Sequence, residues 1–388
     1  AYFNASGAPA DLATVVVVQP SYIDGLGSAL RDVPMSAWRA WLAYNLLSAY
    51  ASYLPASYAA EDFAFEQRIV RGVPEMQPRW KRAVAAVDRS MRFALGRLYV
   101  ERHFPASSKA HAERMVAHFL DTFRQSIETL DWMGPLTRQE ALRKLAAIRP
   151  KIGYPEKSES YDALDVKRGD LAGNIMRARR FDQAYWTRKI GRPVDRDEWF
   201  TAPQEVNAFY GPNQNEIVFP AGILQPPFFD DAADDAANYG AIGVVIGHEI
   251  SHAFDDQGSL FDGAGNLRDW WTVEDRARFE AKTRGLIAQY DSFTALPGYA
   301  VNGQLTLSEN VADNSGLGVA VKAYRRSLGT ASAPVLDGYD GMQRFFIAFA
   351  QIWKDQVREA ARKCTDLEQL EAALDCLSGG FEINYSIE

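Results

Sequence analysis

In this 388-residue chain, the stretch His248-Glu249-Ile250-Ser251-His252 has residue types and spacing suited to chemistry. On a helix, positions i and i+4 share a face, so the imidazoles of His248 and His252 converge on one point. Neutral imidazole nitrogens bind zinc at about 2.0–2.1 Å. Glu249, one step along, cannot ligate from the same direction. It can reach a water activated by the metal, which is the position of a general base. Ile242, Val244, Val245 and Ile246 make the preceding turn apolar. An unpaired histidine pair is costly there, which favours a satisfied metal site.

A second segment, Ser308-Glu309-Asn310-Val311-Ala312-Asp313, supplies what the first lacks. Glu309 and Asp313 are again four apart on an expected helix, with Ser308 where an N-cap would stand. Glu309 as third ligand leaves the fourth position of one zinc ion open, as a catalytic site requires. Asp313 points the same way and can accept the second N–H of a ligating histidine, fixing its tautomer. Two solvated acids on a helix would be the plainer reading, but Val311, Leu317 and Val319 make poor neighbours for it.

These residues need elements to hold them. Asn238 to Phe254 reads as one long apolar helix. The character changes at Val206: Asn207 to Tyr210, a Gly-Pro-Asn turn and Glu216 to Pro220 read as strand, turn, strand. Upstream, Trp38, Leu42, Leu46 and Tyr50 recur at helical spacing. So do Val84, Val87, Met91, Leu95 and Leu98, and then Met115, Phe119, Phe123, Ile127 and Leu130. Val15 to Val18 reads as a short buried strand, and Lys151 to Asp170 as a polar hinge. The expected class is mainly α with a small β-sheet (α+β). The expected division is an N-terminal segment 1–35, a helical domain 36–170 and a metal-bearing domain 171–388.

Composition narrows the partners. A formal net charge of −8 gives no electrostatic reason for binding nucleic acid or anionic lipid. The most basic stretch, Arg177 to Arg180 with Arg188 and Lys189, has acids nearby and reads as a solvated helical face. No run approaches the ~18 apolar residues of a membrane span, and Ala1 to Ala10 lack the pattern of a signal peptide. His103, His111 and His118 have no acidic partner at ligand spacing and read as surface or packing residues. Cys364 and Cys376 could form one bridge, which leaves the redox compartment open.

Beyond the metal motifs, the chain resembles the neprilysin-like zinc endopeptidases, peptidase family M13. The resemblance rests on Val206-Asn-Ala-Phe-Tyr210, Ile217 through Phe229, Val245 through Asp256, Asp269-Trp-Trp271 and Ser308 through Asp313. It extends upstream to Gly96-Arg-Leu-Tyr-Val100 and downstream to Phe345 through Trp353, so it spans roughly residues 14 to 360. Ser251 and Ser308 stand where the family usually has Thr and Gly. The resemblance implies a thermolysin-like zincin catalytic domain facing a helical lid across a chamber, and cleavage of short peptides before hydrophobic residues. By the same resemblance, Asn207 and Ala208 hydrogen-bond the substrate backbone, and Ile223, Phe228, Val245 and Trp353 wall the pocket for the residue after the cut. An extracytoplasmic location, periplasmic or secreted, is implied likewise.

Two departures qualify that expectation. The family runs longer on the N-terminal side. It also carries an Asp-x-His-Ser-Pro segment and an arginine after the Gln-Ile-Trp helix, for the oxyanion and the substrate backbone. Here no histidine follows His252. Tyr210, Arg344 and Arg358 are the candidates for a replacement donor, and a second protein chain completing lid and active site is the other source. The leading expectation is a zinc-dependent endopeptidase or oligopeptidase with Glu249 as general base. The alternatives are a zinc-binding but catalytically silent peptide binder and the zinc-bearing subunit of a split enzyme.

Overall fold

The structure is a computed structural model and describes residues 7–8, 17–354 and 356. Its helices and strands run α1 (Pro20–Asp32), α2 (Met35–Tyr50), α3 (Ala56–Asp62), a π-helical stretch (Phe63–Val70), α4 (Arg79–His103), α5 (Ala106–Glu128), α6 (Pro135–Ala146), β1 (Arg149–Gly153), α7 (Leu171–Thr187), β2 (Phe209–Gly211), β3 (Glu216–Pro220), α8 (Asp235–Gly240), α9 (Ile242–Ser251), α10 (Val273–Asp291), β4 (Thr294–Leu296), β5 (Tyr299–Ala300), α11 (Leu307–Leu328) and α12 (Gly341–Ile352). Helices dominate and the sheets are small, the α+β class that the patterning implies. Proline sets several helix starts. Pro20 and Pro135 stand in the first turn, where the missing amide costs nothing, and Pro34, Pro55 and Pro105 are N-caps.

The described chain divides into two compact units, residues 1–92 with 159–195, and residues 93–158 with 196–388. The division falls beside Met91, whose φ of −146° and ψ of 43° interrupt α4. It differs from the sequence-based division at 170/171. Residues 93–158 belong with the unit that carries the HExxH segment because their apolar faces are spent there: Phe119 of α5, fully buried, lies under Gly243 of α9. Helix α7, expected to open the metal-bearing domain, belongs to the other unit. Arg177 pairs there with Asp170, and Arg179 lies over the Tyr50 ring.

In the unit that carries the HExxH segment, β3 is the central strand of a three-stranded sheet ordered β1-β3-β2. It pairs in parallel with β1, Arg149 opposite Glu216, and antiparallel with β2, Phe209 opposite Val218. The strand-turn-strand reading of 206–220 therefore holds in type, with β2 shorter than expected. Strand β1 falls on the start of the segment read as a hinge. Ile152 and Gly153 are buried by their pairing with β3, a long-range contact that local polarity does not reveal.

Two further expectations are corrected. Val17 and Val18 form no strand and are exposed, while Val15 and Val16 lie outside the described residues; Pro20 starts a helix directly afterwards. The single helix expected over 238–254 is two, α8 and α9, broken at Ala241 with φ −96° and ψ −95°. The break is satisfied because the Ile242 amide donates to the Phe228 carbonyl at 2.9 Å. Cys364, Cys376 and Arg358 lie outside the described residues.

Helix α9 is buried on nearly every side, with Ile242, Val244, Ile246 and Ile250 at 2% exposure or less. Its closest neighbour is α11, and glycines make the approach. A Cβ on Gly247 would stand 2.5 Å from the Gly316 carbonyl oxygen, and one on Gly316 would stand 2.4 Å from the His248 nitrogen. Only paired glycines let two helix backbones come this near.

Candidate metal centre

The close crossing of α9 and α11 brings the two sequence segments together. His248 lies in the last turn of α9, and His252 is its C-cap, still helical at φ −57° and ψ −24°. The i, i+4 geometry therefore survives the helix end. Glu309 sits in the first turn of α11. The His248 and His252 Nε2 atoms are 2.9 Å apart, and Glu309 Oε2 is 3.2 Å from the first and 3.7 Å from the second. All three ligand atoms fall within 4.8 Å of one another, the one such group found among the described residues.

A tetrahedral zinc with bonds of about 2.0–2.1 Å spaces its ligand atoms roughly 3.3 Å apart. The three observed separations bracket that value. Two imidazoles and a carboxylate are a zinc donor set with one position left over. Glu309 is largely exposed, and no fourth His, Cys, Asp or Glu joins the group among the described residues.

Each imidazole is held from behind. His248 Nδ1 bonds Asp313 Oδ1 at 2.8 Å, as the spacing of Glu309 and Asp313 implies. His252 Nδ1 bonds Asp255 Oδ2 at 2.7 Å, a partner that the sequence reading missed. Asp255 lies three residues after His252, in the turn that follows the helix, close enough along the chain to fold back onto the ring. It is 1% exposed, and its second oxygen accepts from the amides of Gln257 and Gly258. Ser308 is not the cap of α11. Thr306 holds that position, and Ser308 Oγ donates to Asp255 instead.

The charges of the cluster follow from these contacts. Burial pushes the His248 imidazole down, but hydrogen bonds to Asp313 and Glu309 and the Glu249 charge outweigh it and raise it to about 10. His252 is raised as well; burial opposes this, and the bond to Asp255 carries it. The bond from His248 holds Glu309 below the usual carboxylate range. A cation at the point where the three ligands meet competes with the proton that His248 otherwise keeps.

Glu249 is 6% exposed, and burial lifts it to about 7, against the pull of His248 and His252. A backbone hydrogen bond from Tyr210 in β2 also favours its ionised form. The amide that holds it belongs to the edge strand of the sheet. Among the proposed substrate contacts, Asn207 is exposed and Ala208 buried, both immediately before β2. Phe228 and Val245 pack together on Ala241, Ala348 and Ile352. Ile223 lies in the main core, while Trp353 is 55% exposed beside Phe349. The two described candidates for an extra oxyanion donor are engaged elsewhere. The Tyr210 hydroxyl donates to Asn215, and Arg344 binds Asp234 and the carbonyls of Pro334 and Tyr339. His111 and His118 bond Asp231 and the Tyr239 hydroxyl, in keeping with packing roles.

Two helix-borne histidines one turn apart, a glutamate from a second helix and a buried glutamate beside them make an HExxH-plus-glutamate group that could hold a metal ion. Two models of peptidase family M13 match the chain, over residues 1–155 and 207–371. The chain belongs to this family. It is 37% identical to human neprilysin over 352 residues, covering 87% of this chain and 47% of that protein. It is 35% identical to human endothelin-converting enzyme 1 over 350 residues, covering 87% and 45%. Among solved structures it is similar to the inhibitor complex of the zinc metalloprotease Zmp1 of Mycobacterium tuberculosis, with a TM-score of 0.86 and 46% identity over 92% of this chain and 55% of that one. PepO of Lactobacillus rhamnosis gives 0.78 and 36% over 87% and 52%. The chain spans about half the length of the curated relatives it matches.

Proposed function

We propose that this chain is a zinc-dependent endopeptidase or oligopeptidase that hydrolyses short peptides before hydrophobic residues. The observation that carries the reading is the convergence of His248, His252 and Glu309 beside a buried Glu249. Family membership and the similarity to a zinc metalloprotease support it. One bound zinc per chain would polarise the scissile carbonyl and acidify water. Glu249 takes a proton from the attacking water and passes it to the leaving amine. Asp313 and Asp255 hold the two imidazoles in the orientation in which their Nε2 atoms converge with Glu309.

The edge of β2 suits an extended peptide. Its Tyr210 amide already faces Glu249, and Ala208, two residues back, has the same parity. Val245 lies one turn before His248 and Glu249 on α9, and with Phe228 and the exposed Trp353 it would offer apolar surface for the side chain after the cut, with Ile223 in the core behind. No described helix is long and apolar enough to cross a membrane. An extracytoplasmic site of action agrees with the neprilysin and endothelin-converting enzyme relatives.

Zinc content and cleavage of a quenched hydrophobic peptide test the proposal together. Chelation should abolish turnover and one equivalent of zinc should restore it. Turnover that persists without metal sinks the reading. Zinc binding with no turnover favours the second reading, a peptide-capturing protein, for which the engagement of Tyr210 and Arg344 elsewhere speaks.

The pH profile offers a separate check. A general base works only when ionised, so kcat/KM should fall as pH drops through the Glu249 value. Burial, working against His248, His252 and the Tyr210 amide, lifts that value from 4.5 to about 7, and a divalent cation beside it would pull it back. The acid limb should therefore lie between those two values. A rate that stays flat from pH 8 to pH 4.5 would remove Glu249 from the role.

A further inference from the structure

Lys144, in the last turn of α6, is 1% exposed, and its buried ammonium has no carboxylate partner in hydrogen-bonding contact among the described residues. Its Nζ donates instead to the carbonyls of Gly258 and Phe261, both at 2.7 Å. The rings of Tyr210, Phe254 and Trp270 surround it at 5.6, 5.9 and 6.0 Å. Burial pushes the lysine down to about 7, with Asp255 and Asp262 pulling the other way, so the group is held there against a solvation cost. Charged or neutral, the amine keeps enough N–H groups for both carbonyls.

What those carbonyls belong to gives the lysine its consequence. The Gly258 peptide that accepts from Lys144 also donates, through its amide, to Asp255 Oδ1 at 2.6 Å. The neighbouring Gln257 amide donates to the same oxygen at 2.9 Å. The other Asp255 oxygen is hydrogen-bonded to His252 Nδ1 at 2.7 Å. The turn has no slack toward the helix, since a Cβ on Gly258 would stand 1.7 Å from the His252 carbonyl oxygen. A continuous chain of contacts therefore runs from Lys144 through the 257–261 turn and Asp255 to the His252 ring.

We propose that Lys144 is a positioning residue for the metal centre: it anchors the turn whose amides fix Asp255, and so sets the orientation of the His252 ligand. The inference rests on the zinc-binding part of the proposed function. His248, backed by Asp313, stands outside this chain of contacts.

A double-mutant cycle on zinc affinity of the full chain tests it, with affinity read by competition against a chromophoric chelator. Lys144→Met should weaken zinc binding by about 10–100-fold, the range seen when groups behind a ligand are removed. In an Asp255→Asn background the same change should add less than about threefold, because the link it acts through is already broken. In an Asp313→Asn background the loss should appear in full. A zinc affinity unchanged by Lys144→Met overturns the proposal, and so does an equal loss in all three backgrounds. A merely structural lysine would lower the melting temperature of the metal-stripped protein and leave the affinity of the folded fraction alone. If Lys144→Met does not fold, Lys144→Gln, which keeps an amide donor, enters the same cycle with the same criteria. Wild-type protein that binds zinc without cleaving peptide would sink the peptidase reading and leave this comparison intact; wild type that binds no zinc overturns both.

Discussion

Replacing Glu249 with glutamine should lower kcat for peptide hydrolysis by about 10²–10⁴-fold, the usual contribution of a general base, while zinc stays bound. The substitution is close to isosteric. The amide oxygen of glutamine can accept the Tyr210 N–H as the carboxylate does, so β2 keeps its place against α9. What disappears is the basicity that burial raises. Zinc affinity should change by less than about tenfold, because Glu249 supplies no ligand atom and acts on the metal only through its charge. Steady-state kinetics beside elemental analysis decide the matter. A variant that keeps kcat within tenfold of wild type would show that another group takes the proton.

The second large effect concerns the helix crossing. Gly316→Ala should destabilise the protein by about 1–3 kcal/mol and weaken zinc binding, since the added Cβ meets backbone that cannot swing aside. The atom it meets is the His248 nitrogen at 2.4 Å, so relief requires α11 to move away from α9. That movement carries Glu309 and Asp313 away from His248. Gly318→Ala is the control. It lies two residues along the same helix, exposed, with nothing within 4 Å of its Cβ. There alanine should stabilise by about 0.4–1 kcal/mol through its better helix propensity. Thermal denaturation with and without zinc separates the pair. Equal melting temperatures for the two variants would mean that the crossing can relax and that glycine is not needed there.

Much of the centre could be read from spacing alone. His248, Glu249 and His252 within five residues, and Glu309 with Asp313, are periodicities of a single helix each, and the structure places them as that periodicity requires. Asp313 behind His248 followed from the same rule. Local pattern failed where distant backbone made the decision. Asp255 lies just past the expected helix and has no role in the spacing rules, yet the turn after the helix presents it to His252. Ser308 looked like a cap and instead serves Asp255, because Thr306 starts the helix. Strand β1 was hidden in polar text, since its burial comes from pairing with β3, more than sixty residues away.

The sequence by itself determined the spacing of His248, Glu249 and His252, that of Glu309 and Asp313, and the helical character of the elements that carry them, because such spacing and apolar period are properties of neighbouring residues. Only the tertiary structure decided that Glu309 meets the two histidines, that Tyr210 turns an edge amide toward Glu249, and that Lys144 closes the turn under Asp255. Each of these joins segments tens of residues apart. Their closeness depends on the glycine crossing of α9 and α11 and on the pairing of β2 with β3, packing choices that no local periodicity encodes.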